Sequence, residues 1–310
     1  MKKSLILWAA SLPLLFLTAC GGHEKAVPEL NVMSFNMRYD NPEDGENNWQ
    51  YRRERVARVI AANDVDLFGA QELLVGQLND LKGLLPGYAE VGVGREDGAE
   101  AGEFNPVFYR TDRFELLDWG TFWLSETPDV AGSKGWDGAC ERVATWVVLH
   151  DREGGREFLF VNTHLDHVGQ GARDGRELFF INTPLDHRGE VARREGVSLL
   201  LGRIDSLSGG RPVVLTGDFN ATPDSEVIAH VLADGRMRHT RDVADVREGA
   251  SWSFADYGSI PEADRQLIDY VFVNDGLDVP MYRVLPDTLD GGYLSDHAPV
   301  LVKLQYNASK

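Results

Sequence analysis

The chain has 310 residues and a net charge of −18, because 31 lysines and arginines are outnumbered by 49 aspartates and glutamates. This acidic balance argues against non-specific capture of nucleic acid, which depends on clustered positive charge. The length suits one large domain or two smaller ones, and the composition after Pro28 shows no linker.

The first 19 residues have the features of a signal peptide that is removed from the mature protein. Lys2 and Lys3 form a charged start, residues 5–17 are an apolar run, and small residues precede Cys20. This ending resembles a bacterial lipoprotein signal, which predicts cleavage before Cys20 and lipid on its thiol. An ordinary secretory signal is the alternative, and residues 20–28 would form a tether.

A lipid on Cys20 predicts an extracytoplasmic protein of the cell envelope that is attached to the membrane through its N-terminal lipid. The protein is expected to be a monomer. The residue after Cys20 is Gly21 and not Asp, which is compatible with sorting to the outer membrane. Cleavage removes two lysines and takes the net charge from −18 to −20. Cys140 then has no partner for an intramolecular disulfide, since the chain has two cysteines.

In chain order, the first half alternates between strand and helix patterns. A β-type alternation comes first, then a loop by composition, an amphipathic helix, a short strand and a second helix. Their ranges are Leu30–Arg38, Asn41–Asn48, Trp49–Ala62, Val65–Glu72 and Val75–Leu84. This alternation predicts an α/β arrangement.

From Ala89 onward the pattern favours strands. The predicted strands are Pro106–Arg110, Phe114–Trp119, Arg142–Leu149, Glu157–Val161, Gln266–Val273 and Leu294–Val302. Gly154 and Gly155 predict a hairpin between two of them, and Gly189–Leu207 predicts a helix.

The stretch Pro212–Ser225 combines a buried-strand pattern with two polar side chains. The apolar run stops at a glycine, and Asp218 and Asn220 follow. Residues two apart on a strand point to the same face, so both side chains should meet at the strand's end. A carboxylate beside an amide suits holding a water or a metal near a phosphoryl oxygen, and an ordinary turn after a strand is the alternative.

An internal repeat interrupts the pattern. Residues 156–173 recur as residues 176–193, with eleven of eighteen positions identical, which indicates a tandem duplication. The main difference is His164 in the first copy against Pro184 in the second. We expect the first copy to occupy the sheet, because it follows the tight hairpin and keeps the histidine.

Six short motifs in this order give the chain a family resemblance. They are Asn36, Gln71-Glu72, Asn162-Thr163-His164, Gly217-Asp218-Phe219-Asn220, Ile268-Asp269-Tyr270 and Ser295-Asp296-His297. Over residues 29–304 the chain resembles the endonuclease/exonuclease/phosphatase superfamily. It is also similar to an exported bacterial, deadenylase-like subgroup through Met33–Asp40, Trp123–Pro128 and Gly135-Trp136. The resemblance implies a four-layer α/β sandwich of two packed mixed β-sheets flanked by helices, with residues 305–310 as a tail.

The resemblance also implies a Mg²⁺ cofactor, with Mn²⁺ as an alternative. Glu72 would be the main metal ligand, Asn36 would lie beside it, and Asp296 would contribute. Carboxylates and water are the ligands that this hard cation prefers.

The remaining residues would act on the phosphoester substrate. Asp218 would orient or deprotonate the attacking water, and Asn220 would hold the phosphate. His297, made cationic by Asp269, would stabilise developing charge, and His164 would add a second positive contact.

Several further residues have two interpretations. Tyr109 matches a phosphate-contacting tyrosine of the superfamily or lies in the core, and Arg142 binds phosphate or forms a surface ion pair. Three tryptophans, Trp49, Trp123 and Trp136, also have two interpretations. They stack on the substrate, or two of the three fill the core. Asp166-His167 and Asp186-His187 are expected to be loop residues and not metal ligands.

The expected activity is Mg²⁺-dependent hydrolysis of a phosphoester at the cell envelope. The substrate could be a nucleic-acid end, a sugar or inositol phosphate, or a phospholipid. The alternatives are a 3′–5′ exonuclease of the deadenylase type, or a catalytically inactive binding lipoprotein if Pro184 and not His164 occupies the site.

Overall fold

In the computed structural model, which describes residues 28–167 and 189–307, the strands follow one another from Glu29 to Tyr306. They are β1 (Glu29–Asn36), β2 (Leu67–Gln71), β3 (Tyr88–Val91), β4 (Val107–Arg110), β5 (Phe114–Trp123), β6 (Val143–Asp151), β7 (Arg156–His164), β8 (Val213–Asp218), β9 (Arg238–His239), β10 (Val246–Gly249), β11 (Asp269–Val273), β12 (Leu277–Val284), β13 (Thr288–Leu289), β14 (Gly292–Tyr293) and β15 (Val300–Tyr306).

The described strands form two large mixed sheets and one small hairpin, β13–β14. The first sheet has the order β10-β12-β15-β1-β2-β4-β3, and its β1–β2 and β10–β12 pairs are parallel. The second has the order β5-β6-β7-β8-β11-β9, and its β7–β8 pair is parallel. The other pairs within these sheets are antiparallel.

The helices of the described chain are α1 (Trp49–Ala62), α2 (Val75–Leu84), α3 (Glu190–Ser208), α4 (Glu226–Leu232) and α5 (Thr240–Val243). Helices α1 and α2 cover the outer face of the first sheet and α3 and α4 that of the second, whereas α5 contacts strands of both sheets. In the described part of the chain, two short 3₁₀ helices span Pro42–Asn47 and Glu262–Asp264. Among the described residues, none of the helices is both long and apolar enough to cross a membrane.

Alternating side chains on the strands build three apolar layers. On β1, Leu30 and Val32 enter the core between the sheets, whereas Met33 and Phe35 pack with Val56 and other residues of α1 and α2. A third cluster joins the outer face of the second sheet to α3 and α4. This arrangement confirms the four-layer α/β sandwich.

A polar contact crosses between the sheets near the site end of the core. Asn162 donates from Nδ2 to the carbonyls of Ala70 and Pro106, at 2.7 and 3.0 Å, and its Oδ1 accepts from Gln71 at 2.6 Å. A Cβ at Gly69 would lie 2.3 Å from that Oδ1. Glycine is therefore required there for the close approach of the sheets.

Most predicted elements lie where the sequence placed them, and α1 and α2 have the predicted bounds. Several boundaries are corrected, and the strands predicted to begin at Gln266 and Leu294 begin only at Asp269 and Val300. The predicted loop 41–48 contains a 3₁₀ helix, because Asn41 caps it by accepting from the Glu43 N–H. Strand β15 continues beyond residue 304, because Tyr306 pairs with Leu277. The predicted signal peptide, Cys20 and nearly all of the tether lie outside the described residues.

The first copy of the repeat supplies the strand in the sheet. Its residues 156–164 form β7 between β6 and β8, and the turn through Gly155 closes the predicted hairpin, with Gly155 at φ +61°. Most of the second copy, including Pro184 and Asp186-His187, lies outside the described residues. A Cβ at Gly189 would lie 3.0 Å from the carbonyl oxygen of His167, so the two ends of the intervening segment touch.

We predict that deleting residues 165–184 leaves the fold intact. The deletion joins His164 to Leu185, so the same Leu-Asp-His sequence follows β7. One residue then links this histidine to Gly189, and the equivalent positions, His167 and Gly189, are already in contact. The variant should unfold in a single transition at a temperature no lower than the parent, as measured by circular dichroism.

A deletion of equal length, residues 156–175, is the matched control. It leaves the second copy after the hairpin and places Pro184 where His164 stands. We expect this variant to be less stable, because proline cannot donate a backbone hydrogen bond and the histidine contacts are lost. A 165–184 deletion that fails to fold would show that the extra segment is structurally required.

Candidate active site

Polar side chains from both sheets meet where several strands end at one edge of the sandwich. The parallel strands β1 and β2 end at Asn36 and just before Glu72, and the parallel strands β7 and β8 end at His164 and Asp218. The antiparallel strand β11 starts at Asp269, directly opposite Asp218. Strand direction therefore delivers the predicted residues to one place.

Asn36 joins the two halves of the cluster. Its Nδ2 donates to Glu72 Oε1 in its own sheet and to Asp218 Oδ2 in the other, both at 3.0 Å. Glu72 also accepts from the Tyr39 N–H at 3.2 Å and has φ +66°, a left-handed conformation that is uncommon for a non-glycine residue.

Asn220 reaches the cluster by a turn. Strand β8 ends at Asp218, Asn220 has φ +46°, and its N–H donates to Asp218 Oδ1 at 2.8 Å. Its Nδ2 donates to His164 Nε2 at 3.0 Å and to the Leu165 carbonyl at 3.1 Å. Both amide hydrogens are engaged, so Oδ1 is the atom that remains for substrate. A carbonyl oxygen accepts from water and not from a phosphate oxygen, so this arrangement favours a contact with water, and the expected phosphate contact stays a prediction.

His297 forms the predicted pair with Asp269. The distance from Nδ1 to Asp269 Oδ2 is 2.8 Å, and Nε2 lies 3.7 Å from Asp218 Oδ2. Burial disfavours the charged ring, but the adjacent Asp269, with Asp296 and Asp218, raises the pKa of His297 to about 10. The ring is therefore cationic at neutral pH.

Asp218 has the properties of a base near neutral pH. Burial and then the negative charge of Asp269 raise its pKa, His297 opposes the change, and the pKa of Asp218 is about 7. A carboxylate with this pKa accepts a proton efficiently at the pH at which it is half ionised.

His164 differs from the expectation of a positive contact. Burial, followed by the charges of Arg142 and Arg95, holds the pKa of His164 well below its ordinary value. The ring is neutral, and Nε2 accepts from Asn220, so the ring proton lies on Nδ1. His164 thus orients Asn220 and contributes no positive charge.

Arg142 and Tyr109 each had two interpretations, and the structure places the two residues differently. Arg142 is buried, and its Nε lies 3.3 Å from Asp166 Oδ1, so it is not a surface ion pair. Its Nη2 lies 3.0 Å from His167 Nδ1, which gives Asp166-His167 the role of holding the guanidinium. Tyr109 packs in the core between the sheets and pairs with Leu67, at the end of β2 away from Glu72. This placement corrects the expected phosphate contact.

Two of the three tryptophans belong to the core. Trp49 and Trp123 are buried, and their indole N–H groups donate to Asp80 and to the Arg95 carbonyl. Trp136 is half-buried with φ +49°.

Two arginines near the carboxylates were not assigned from the sequence. Arg38 Nε lies 3.2 Å from Asp44 and 3.8 Å from Asp296. Arg52 is fully buried and donates to the carbonyls of Met37, Arg38, Leu294 and Asn47, so it ties together the segments on both sides of the cluster. The signal was present, since Arg52 lies on the apolar stripe of α1, between Trp49 and Val56.

The carboxylates fit a divalent cation. Glu72, Asp218, Asp269 and Asp296 carry four negative charges when ionised, whereas His297, Arg38 and Arg52 supply three positive ones. Burial, together with the charge of Glu72, raises the pKa of Asp296, as expected where negative charge is under-compensated. Asp269 Oδ1 is buried without a partner among the described residues.

Two carboxylate oxygens and one imidazole nitrogen also lie close enough together to share an ion. Single ligand atoms of Glu72, His164 and Asp218 lie within 4.8 Å of one another. The predicted ligands Asn36 and Asp296 border this group, Asn36 by hydrogen bonds to both carboxylates and Asp296 beside Arg38. Oxygen-rich sites of this kind suit Mg²⁺.

Comparisons of sequence and structure with known proteins find one protein family. A sequence model described as the Endonuclease/Exonuclease/phosphatase family matches residues 33–297. A Bacteroides vulgatus endonuclease/exonuclease/phosphatase is 39% identical, with a TM-score of 0.82 over 90% of this chain and 100% of that one. A Bacteroides thetaiotaomicron mannosyl-6-phosphatase is 35% identical, with a TM-score of 0.79 over 89% and 100%.

A curated relative matches over a shorter range. The Ccr4 3′-5′-exoribonuclease subunit of the CCR4-Not complex of Emericella nidulans is 30% identical over 138 residues, which are 38% of this chain and 20% of that protein. The chain therefore spans about a fifth of the length of this relative.

We predict that Mg²⁺ stabilises the protein and that Glu72 is required for this effect. At about 100 times its dissociation constant, a ligand that binds the folded state raises the free energy of unfolding by ~2.7 kcal/mol, which corresponds to a rise in melting temperature of roughly 5 °C or more. Differential scanning calorimetry with Mg²⁺ and with EDTA measures this.

Glu72→Ala should abolish the Mg²⁺-dependent rise, whereas Glu54→Ala, an exposed carboxylate on α1, should keep it. An equal rise in both variants would contradict the assignment of Glu72 as a ligand.

Proposed function

Because the chain belongs to the endonuclease/exonuclease/phosphatase family, we propose that it is a Mg²⁺-dependent phosphoester hydrolase that prefers a sugar phosphate. The assignment as a hydrolase is supported by the contact between Asp218 and His297. Asp218, whose pKa is about 7, lies 3.7 Å from the cationic His297, beside the Asn36–Glu72 pair. A base, a cation and metal ligands within one buried cluster suit phosphoryl transfer to water.

Two side chains of the protein position and activate the attacking water. Asp218 and Asn220 Oδ1 accept hydrogen bonds from the attacking water, and Asp218 takes its proton. Asn220 is held in this orientation by His164 and the Leu165 carbonyl. Fixing the water in this way lowers the entropic part of the barrier.

Cationic groups account for the developing negative charge. His297 Nε2 faces the cluster, while Nδ1 is bonded to Asp269, so the ring donates to a phosphoryl or leaving oxygen from a fixed orientation. Asn36, Glu72 and Asp296 would hold Mg²⁺, or Mn²⁺ in its place. When bound, the cation polarises the phosphoryl oxygen and stabilises the leaving oxygen.

Full-length similarity supports the sugar phosphate. The mannosyl-6-phosphatase matches 89% of this chain at 35% identity, whereas the exoribonuclease relative matches 38%. The net charge of −18 also disfavours a long polyanionic substrate. The second candidate, 3′–5′ exonuclease activity, is supported by the 30% identity to the Ccr4 subunit. The inactive alternative required Pro184 in the site, where the structure has His164.

We predict that the protein releases phosphate from mannose 6-phosphate in the presence of Mg²⁺ and not of EDTA. A panel of mannose 6-phosphate, inositol phosphates, sphingomyelin, single-stranded DNA and polyadenylate measures the preference. Asp218→Asn should lower kcat by roughly 10²-fold or more, because it removes the base without changing the size of the side chain.

Asp224→Asn, an exposed aspartate in the loop after Asn220, is the matched control and should keep full activity. Faster cleavage of polyadenylate than of every small phosphate would reverse the proposed preference. No Mg²⁺-dependent hydrolysis of any substrate would refute the hydrolase.

We further propose that Cys20 carries a lipid and anchors the protein to the cell envelope. The support is the charged start, the apolar run 5–17 and the small residues before Cys20. Several acyl chains on one residue bind a membrane firmly, whereas one chain binds only weakly.

Cys20→Ala should therefore move the protein from the detergent-extracted membrane fraction of the expressing bacterium to the soluble fraction. Cys140→Ala changes the other cysteine, a buried free thiol, and should leave the distribution unchanged. Equal membrane association of the Cys20→Ala variant would exclude the anchor.

A further inference from the structure

The loop between β3 and β4 forms a wall beside the catalytic cluster. Leu73, the residue after Glu72, exchanges two backbone hydrogen bonds with Phe104, at 2.7 and 3.3 Å. Within the loop, the Arg95 N–H donates to the Glu103 carbonyl at 3.1 Å. This pairing fixes the loop directly against the segment that carries Glu72.

The wall carries an ion pair that is partly exposed. Arg95 Nη1 lies 2.6 Å from Glu103 Oε2, and the two side chains are 13% and 18% exposed. Trp123 donates to the Arg95 carbonyl at 2.6 Å and holds the backbone. Arg95 Nε is buried and has no partner among the described residues, so this arginine has a spare donor.

A second arginine, Arg142, lies within electrostatic range of this ion pair. Arg142 is 6% exposed, its Nε and Nη2 contact Asp166 and His167, and its Nη1 is buried without a partner in the described part of the chain. Arg142 lies within electrostatic range of Glu103 and Glu72. His164 in turn lies near both Arg142 and Arg95.

The charges of this surface balance. Arg95 and Arg142 are matched by Glu103 and Asp166, so a further anionic group would meet Glu103 without excess positive charge to offset it. The spare groups are N–H donors on two arginines and the carboxylate oxygens of Glu103. Hydroxyl groups both donate and accept, so a neutral polyhydroxylated group matches this mixture better than a second phosphate does.

We propose that Arg95, Glu103 and Arg142 form a subsite that binds the hydroxyl groups of the sugar from which phosphate is released. This inference rests on the proposed function and specifies how that site recognises its leaving group. A site that hydrogen-bonds a hydroxyl rejects analogues that lack it, because its buried polar groups are left unpaired. The three residues therefore determine specificity and do not take part in the chemical step.

The test compares mannose 6-phosphate with phenyl phosphate, which has no hydroxyl groups on its leaving group. Glu103→Gln keeps the size of the side chain and removes its charge. We expect kcat/KM for mannose 6-phosphate to fall about tenfold, mainly through KM, whereas kcat/KM for phenyl phosphate stays within about twofold. Glu100→Gln, an exposed glutamate in the same loop, should change neither value.

A second measurement is inhibition of phenyl phosphate hydrolysis by free mannose, which should need about ten times more mannose in the Glu103→Gln variant. Melting curves establish that the variant is folded, and Arg95→Lys replaces it in the comparison if it is not. Equal losses on both substrates, or no loss on either, would overturn the subsite.

Failure of the proposed function gives a different result. If the wild-type protein cleaves neither substrate, the hydrolase assignment fails. Calorimetry with mannose then tests the subsite. Mannose binding that is weaker in the Glu103→Gln variant supports the subsite, whereas unchanged or absent binding overturns it.

Discussion

The buried pair of His297 and Asp269 is the interaction on which the site depends. A charged imidazole loses hydration on burial, and this ring stays protonated because Asp269 bonds to it at 2.8 Å while Asp218 and Asp296 add negative charge. Breaking a buried pair of this kind leaves an uncompensated charge and costs about 3–5 kcal/mol. The same cation limits the rise in the pKa of Asp218, so the pKa values of Asp218 and His297 depend on each other.

The two sheets hold this pair against Asn36 and Glu72, the proposed metal ligands, through polar contacts and not through the apolar core alone. Asn162 and Asn36 cross between the sheets, and Gly69 leaves the space that Asn162 needs. Such a network is stabilising only when its members are satisfied. It also fixes the register in which Glu72 of one sheet meets Asp218 of the other, which a purely apolar contact would not specify.

The first copy of the duplicated segment forms strand β7, which contributes to several of these contacts. The first copy contributes Asn162 to the contact between the sheets and His164 to the orientation of Asn220. The Leu165-Asp166-His167 sequence that follows supports Arg142. Because His167 and Gly189 touch, the helix α3 starts where it would start without the intervening residues. An additional copy of the segment is therefore compatible with an intact cluster.

The sequence by itself determined the helices α1 and α2, the hairpin before β7, the sandwich and the residue types of the catalytic cluster. The helices and the hairpin follow from local periodicity and turn residues, which depend on neighbours along the chain, whereas the sandwich and the residues of the cluster were implied by the family resemblance of the six motifs. Only the tertiary structure decided the neutral state of His164, the turn that aims Asn220, the core position of Tyr109 and the pairing of Arg95 with Glu103. These depend on burial and on charges that are distant in sequence, and a low local dielectric makes such charges decisive for protonation.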